Sequence, residues 1–411
     1  MRDQPAEGEM TIRKLLLGLL LLPALEMAGP VAAQNAPGVT ATEIKIGQTM
    51  PYSGPVTAFG TLGKGEIAYF NMINDQGGVN GRRIRLISLD DGYAPPKTVE
   101  QTRKLVEQEE VALIFSTIGT ATNTAITKYL NDRKVPHLFL GSGANKWGDY
   151  KEHPWTMPGV QATFRSEARI YTKYILEKNP NARIAMLYQN DDFGRDYMNG
   201  VRDVLGDRYA AVVREATYEF TDPTIDSQIV TLQGSGADAL IVAATPKFAA
   251  QAIRRVHDIG WKPVFFLSNV AIWVSTVMEP AGVEKGIGII SSAYVKDPTD
   301  PGWNDDPAMK EWRAFMQKYL KDGDIRDQNY VNSYNYAMAL VQVLKQCGND
   351  LSRENIMKQA ASIRDLELPM LLPGIKVNTS PTDYFPVEQM QLMRWSGKQW
   401  VRFGELLNTP R

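Results

Sequence analysis

The chain has 411 residues, 44% hydrophobic and 22% charged, which is enough apolar material to bury two cores and too little bias for a disordered, collagen-like or coiled-coil protein. Its 45 Lys and Arg balance 46 Asp and Glu, so there is no basic excess to track a phosphate backbone and nucleic acid is not expected as a partner. The single cysteine, Cys347, permits neither an intramolecular disulfide nor a Cys-based zinc cluster, and packing must supply the stability.

In chain order, Arg13 and Lys14 precede an apolar run over 15–25, and the small residues Val31-Ala32-Ala33 follow. This pattern reads as a secretory signal peptide over 1–33, cleaved before Gln34 and directing the protein to the periplasm. The run is shorter than the ~20 residues that span a bilayer. No cysteine stands at the cleavage point to carry a lipid, and the acidic residues before Thr11 make Met10 a candidate start.

From Ile44 onward, short β-branched runs alternate with helical patterns, the signature of a parallel sheet covered on both faces. Strands are predicted at 44–49, 84–90, 111–115 and 136–140, with helices at 60–74, 96–108 and 121–133 between them. A second series follows Pro158: a helix at 163–177, strands at 183–188, 211–218, 239–243 and 264–267, and helices near 195–205, 227–233 and 248–259. Two doubly wound α/β halves are therefore expected. The stretch 296–307, crowded with Pro, Gly, Asp and Asn, reads as an irregular loop. Helices at 308–319, 328–346 and 353–362 come next, and a β-hairpin at 389–395 and 399–403 closes the pattern.

Catalytic machinery is not evident. A nucleophile needs a base within reach and an orienting partner, and the three histidines, His137, His153 and His257, have neither that context nor metal-ligand spacing. His137 sits in an apolar strand and reads as core. Asp90-Asp91, Asp191-Asp192 and Asp305-Asp306 read as turn and cap residues. No catalytic residue, metal or cofactor is expected, and binding is favoured over catalysis.

In open parallel sheets ligands sit beyond the carboxyl ends of the strands. Small and hydroxyl residues gather there: Pro51-Tyr52-Ser53-Gly54 and Phe59-Gly60 after the first strand, 116–122 after the third, and Gly141-Ser142-Gly143-Ala144-Asn145 after the fourth. Such loops let backbone N–H groups approach an anion, and a helix N-terminus adds a favourable field.

The segment Asn74-Asp75-Gln76-Gly77-Gly78-Val79-Asn80-Gly81-Arg82-Arg83-Ile84, followed by Asp90-Asp91 and the helix from Pro96, resembles the signature of leucine/isoleucine/valine-type periplasmic binding proteins, the receptors of hydrophobic amino acid ABC importers. The likeness extends through 187–200 and 370–380. It implies a type I periplasmic-binding fold, two doubly wound parallel-sheet lobes joined by a three-crossing hinge that closes on a ligand. The first lobe would comprise 34–157 and 294–383, the second 158–293 and 384–411. The resemblance implies a monomer that serves a membrane permease and ATPase. It assigns the ligand carboxylate to Gly119, Thr120, Ser142, Gly143 and Ala144, and aromatic contacts to Phe59 and Phe193. Thr245 falls where a tyrosine is common, and Asn269 falls near the acid that pairs with the ammonium of an amino acid. Around that position the sequence reads Leu267-Ser268-Asn269-Val270-Ala271-Ile272-Trp273, with no acid. A ligand with a carboxylate and an apolar or aromatic body is therefore expected, with Tyr52, Phe59, Phe193 and Trp273 as its aromatic surface. The alternatives are a branched-chain amino acid receptor in which Asp191 or Asp192 takes the ammonium, and a hydrolase on the same architecture.

Overall fold

The computed structural model describes residues 35–408, so the leader read over 1–33 lies outside the described residues. The first series is β1 (Glu43–Met50), α1 (Gly60–Asp75), β2 (Arg83–Asp90), α2 (Pro95–Glu107), β3 (Leu113–Phe115), α3 (Thr120–Asp132), β4 (His137–Leu140) and β5 (Thr156–Pro158). Its strands form one parallel sheet in the order β2-β1-β3-β4-β5.

The second series is α4 (Phe164–Lys178), β6 (Ile184–Gln189), α5 (Asp192–Leu205), α6 (Tyr209–Val212), β7 (Val213–Tyr218), α7 (Asp226–Gly234), β8 (Ala239–Ala243), α8 (Pro246–Asp258), β9 (Val264–Leu267), α9 (Glu279–Ala281) and β10 (Ile290–Ala293). These strands are parallel in the order β7-β6-β8-β9-β10. In both sheets the second strand lies outside the first and the third lies on its other side. The order therefore reverses between β1 and β3, and again between β6 and β8, where the helices switch faces and open a crevice. Strands such as β6 and β8 are buried along their whole length, as continuous apolar runs covered on both faces must be.

After β10 the chain returns to the first sheet. In α10 (Pro307–Tyr319) and α11 (Asn329–Gln346), Phe315 and Tyr334 pack their rings against Tyr69 of α1 at 6.1 and 4.9 Å. The guanidinium of Arg353, which opens α12 (Arg353–Ala360), donates to the carbonyls of Val111 and Ala112 beside β3. The chain then crosses a third time, and β11 (Gln389–Trp395) and β12 (Trp400–Asn408) add to β10 as an antiparallel hairpin. Two α/β lobes linked by three crossings result.

The differences from the sequence reading are local. Each sheet has a fifth strand, β5 or β10, that was not predicted; three or four residues carry no usable period. The seventh strand begins at Val213 because residues 209–212 form the turn of α6. The hairpin's last strand continues past 403 to Asn408, since a register shift at Gln391/Leu392 and a left-handed Gly404 break its alternation without ending its pairing.

Candidate functional site

The site begins with the way two neighbouring strands end. Ser116, just past β3, and Phe139, within β4, are non-glycine residues with φ of 50° and 52°, a costly conformation held by the surrounding structure where both chains turn into the crevice. Gly119 then caps α3 at φ 102° and ψ 151°. A Cβ there would lie 2.3 Å from the Tyr93 ring, so only glycine fits. Having no side chain, it leaves the first N–H groups of α3 without a side-chain cap.

Beside this helix end the hydroxyls of Thr120 and Ser142 lie 2.7 Å apart. Ser142 Oγ also accepts from the Trp147 ring N–H at 3.0 Å and from the Ala144 backbone N–H at 3.3 Å. With both lone pairs used, Ser142 can only donate to Thr120, and the Thr120 proton is left to donate outward. The end of the crevice formed by β3 and β4 is thus a set of donors.

The second lobe supplies the opposite wall. Asp191 caps α5, accepting from the N–H groups of Phe193 and Gly194 at 3.0 and 3.3 Å, and so sets the Phe193 ring against Phe164 at 4.7 Å. Thr245 starts α8, and its N–H donates to the Tyr218 hydroxyl at 3.0 Å. Beyond β9, the Asn269 N–H donates to the buried Glu167 carboxylate at 3.1 Å. Tyr171, Tyr197 and Ser292 also donate to that carboxylate, and burial pushes its pKa up to about 7. Among the described residues the Asn269 Nδ2 atom has no partner.

These walls line a cavity between the lobes. Of the residues singled out from sequence, Phe59, Gly119, Thr120, Ser142, Phe193, Thr245, Asn269 and Trp273 line it. Tyr52, Gly143 and Ala144 do not. The Tyr52 hydroxyl is bonded to Ser88 at 2.7 Å behind the wall, Gly143 is pressed against Gln161, Ala162 and Phe164, and Ala144 is buried in the core. Gly141 and Ser142 line the crevice, and the next two residues of the turn do not.

Sequence reasoning missed Tyr93, Gln161, Asn329, Asn332 and Tyr336, which also line the cavity. The Tyr336 hydroxyl donates to Gln161 Oε1 at 2.9 Å. Asn329 and Asn332 lie one turn apart on α11; asparagines at helical spacing within an otherwise buried helix were the available signal. Among the described residues no Asp, Glu, Lys, Arg or His lines the cavity. Asp191 is committed to its cap and to Gln189 Nε2 at 2.8 Å, and Asp192 pairs with Lys146 and Arg195. The acidic pairs elsewhere serve turns and caps in the same way: Asp91 accepts from the Tyr93 N–H, and Asp306 caps α10. His137 is buried against the Thr117 hydroxyl at 2.6 Å, and burial pulls its pKa down to about 3.

Contacts join the lobes around the cavity. The rings of Phe59 and Trp273 meet edge to face at 4.9 Å, and those of Tyr93 and Phe220 at 5.5 Å. Lys146 pairs with Asp192 at 2.6 Å, and the Asn145 N–H donates to Asp196 at 2.6 Å.

A family model described as a periplasmic binding protein matches residues 43–399. The chain is 22% identical over 401 residues to Leu/Ile/Val-binding protein homolog 7 of Brucella suis, covering 95% of this chain and 96% of that one. A branched chain amino acid ABC transporter structure from Thermus thermophilus with bound valine matches with a TM-score of 0.78 at 13% identity, over 90% of this chain and 97% of that chain. A fatty acid ABC transporter substrate-binding protein from Thermomonospora curvata matches with a TM-score of 0.75 at 22% identity, over 92% and 96%. At such identities the structural likeness carries the fold alone.

Proposed function

Because the chain belongs to the periplasmic binding protein family, in its Leu/Ile/Val-type ABC transporter branch, we propose that it captures a small carboxylate with an aromatic or hydrophobic body and presents it to a membrane permease and ATPase. The protein acts in the periplasm, after loss of residues 1–33, and does not turn its ligand over. Residues 34–157 with 294–383 and residues 158–293 with 384–411 are the two bodies that close on the ligand.

One observation carries the choice of ligand: the cavity offers donors and aromatic rings at one end and, among the described residues, no acid. The uncapped start of α3 and the Thr120 hydroxyl suit a carboxylate. The rings of Phe59, Phe193 and Trp273 suit an apolar body. An α-ammonium in the same cavity would lack a carboxylate partner, at a cost of several kcal/mol, on the order of that for an unpaired buried charge.

Calorimetric titration with leucine and with 4-hydroxybenzoate, side by side, tests the proposal. Binding of the aromatic acid with no heat from leucine is the expected result. Tight leucine binding without aromatic-acid binding would return the protein to the amino acid receptors.

A further inference from the structure

Among the described residues, two side-chain amide oxygens in the cavity wall have nothing to accept from. Asn329 is wholly buried; its Nδ2 donates to the Ala58 carbonyl at 2.8 Å, which fixes the amide plane, and its Oδ1 has no partner. The other is Asn332 Oδ1, one turn further along the same face of α11. Turning the Asn329 amide over would not help, because its oxygen would then face the Ala58 carbonyl and both would be unpaired. The cavity therefore has donors at the start of α3 and acceptors on α11. Neutral acceptors without any acid call for an uncharged donor.

Resting on the carboxylate reading above, we infer that the ligand is two-ended: a carboxylate at one end and, at the other, an uncharged hydrogen-bond donor, either a carboxamide whose two protons reach Asn329 Oδ1 and Asn332 Oδ1 or a hydroxyl whose one proton is shared between them. The orphaned Nδ2 of Asn269 donates to the same polar group or to the acid. A plain hydrophobic acid leaves both oxygens unpaired, and a site built to bond a donor discriminates strongly against the analogue that lacks it.

The test is calorimetry with pairs of acids that differ only in the donor: 4-hydroxybenzoate against benzoate, and 5-hydroxypentanoate against pentanoate. The donor-bearing member is expected to bind about ten-fold tighter or more. Asn332 is only partly buried, so Asn332→Leu should fold and should reduce that preference, since only Asn329 Oδ1 is left to accept, and Asn332→Asp, which keeps an acceptor, should retain it. Equal binding within each pair would overturn the donor while leaving the carboxylate reading intact, and would mean that trapped water satisfies the two oxygens. A preference undiminished in Asn332→Leu would equally overturn it. Binding of leucine with neither acid series would overturn the carboxylate reading, and the neutral donor with it.

Discussion

Asn269 is held in the cavity wall by its own backbone, through the N–H bonded to Glu167, so its side chain can be exchanged without moving the chain. Asn269→Asp places an acid in a wall that has none, among the described residues. Aromatic-acid affinity is expected to fall at least ten-fold by titration, since two carboxylates then share a low-dielectric site, and leucine affinity to rise. In the first lobe, Glu66 is fully buried beside Gln48 and Ser116, and burial pushes its pKa from 4.5 up to about 8. The unfolded chain releases this proton near pH 4.5 while the folded protein keeps it to about pH 8. The contribution of Glu66 to stability is therefore full below pH 4.5 and is lost as pH rises to about 8, by a few kcal/mol in order of magnitude. Tyr52 and Tyr336 lie near enough to feel its charge, and both are pushed above their ordinary value by burial, so they stay neutral across that window. Thermal melts of Glu66→Gln should vary less between pH 5 and pH 8 than those of the parent.

Secondary-structure elements deliver the site chiefly through their ends. Gly119→Ala puts a Cβ against Tyr93 and a non-glycine residue at φ 102°, so a loss of about 1–3 kcal/mol in denaturant unfolding is expected, together with loss of ligand binding as the start of α3 shifts. At α4 the Thr163 hydroxyl accepts from the Ser166 N–H at 3.2 Å. Thr163→Ala should cost about 1 kcal/mol in the same assay. Because this helix carries Glu167, a slight weakening of ligand affinity should accompany it. Most helices and the longer strands were legible because their apolar periods run for two turns or more. β10 was not, since Ile290-Ser291-Ser292-Ala293 looks polar; it is buried because Ser291 donates to the Leu267 carbonyl and Ser292 to Glu167.

At the scale of the whole molecule, the contacts between the lobes predict how closure responds to solution conditions. The Lys146–Asp192 pair is partly exposed, with side chains 29% and 41% accessible, so solvent screens most of its energy. Lys146→Ala should weaken ligand binding by less than about five-fold, and that loss should shrink as salt is raised. The Phe59–Trp273 contact is buried at its Trp273 side and does not depend on salt. Phe59→Ala should therefore weaken binding at every ionic strength, and small-angle scattering should show less compaction with ligand than in the parent.

From the sequence by itself came the two alternating α/β halves, the terminal hairpin and the loops from which the site is built, because period, turn chemistry and caps are local properties that a few neighbouring residues determine. The resemblance it carries also implies that Asn269 falls near the position of an acid in amino acid receptors. Only the tertiary structure decided which loop residues face the cavity, sending Thr120 and Ser142 into it and Gly143 and Ala144 into the core. It also brought Asn329 and Asn332, about two hundred positions beyond Thr120 in the chain, into the same wall, and left their oxygens unpaired. The direction a side chain takes at a turn, and the meeting of residues so far apart, depend on how the two sheets and α11 pack, which no local pattern contains.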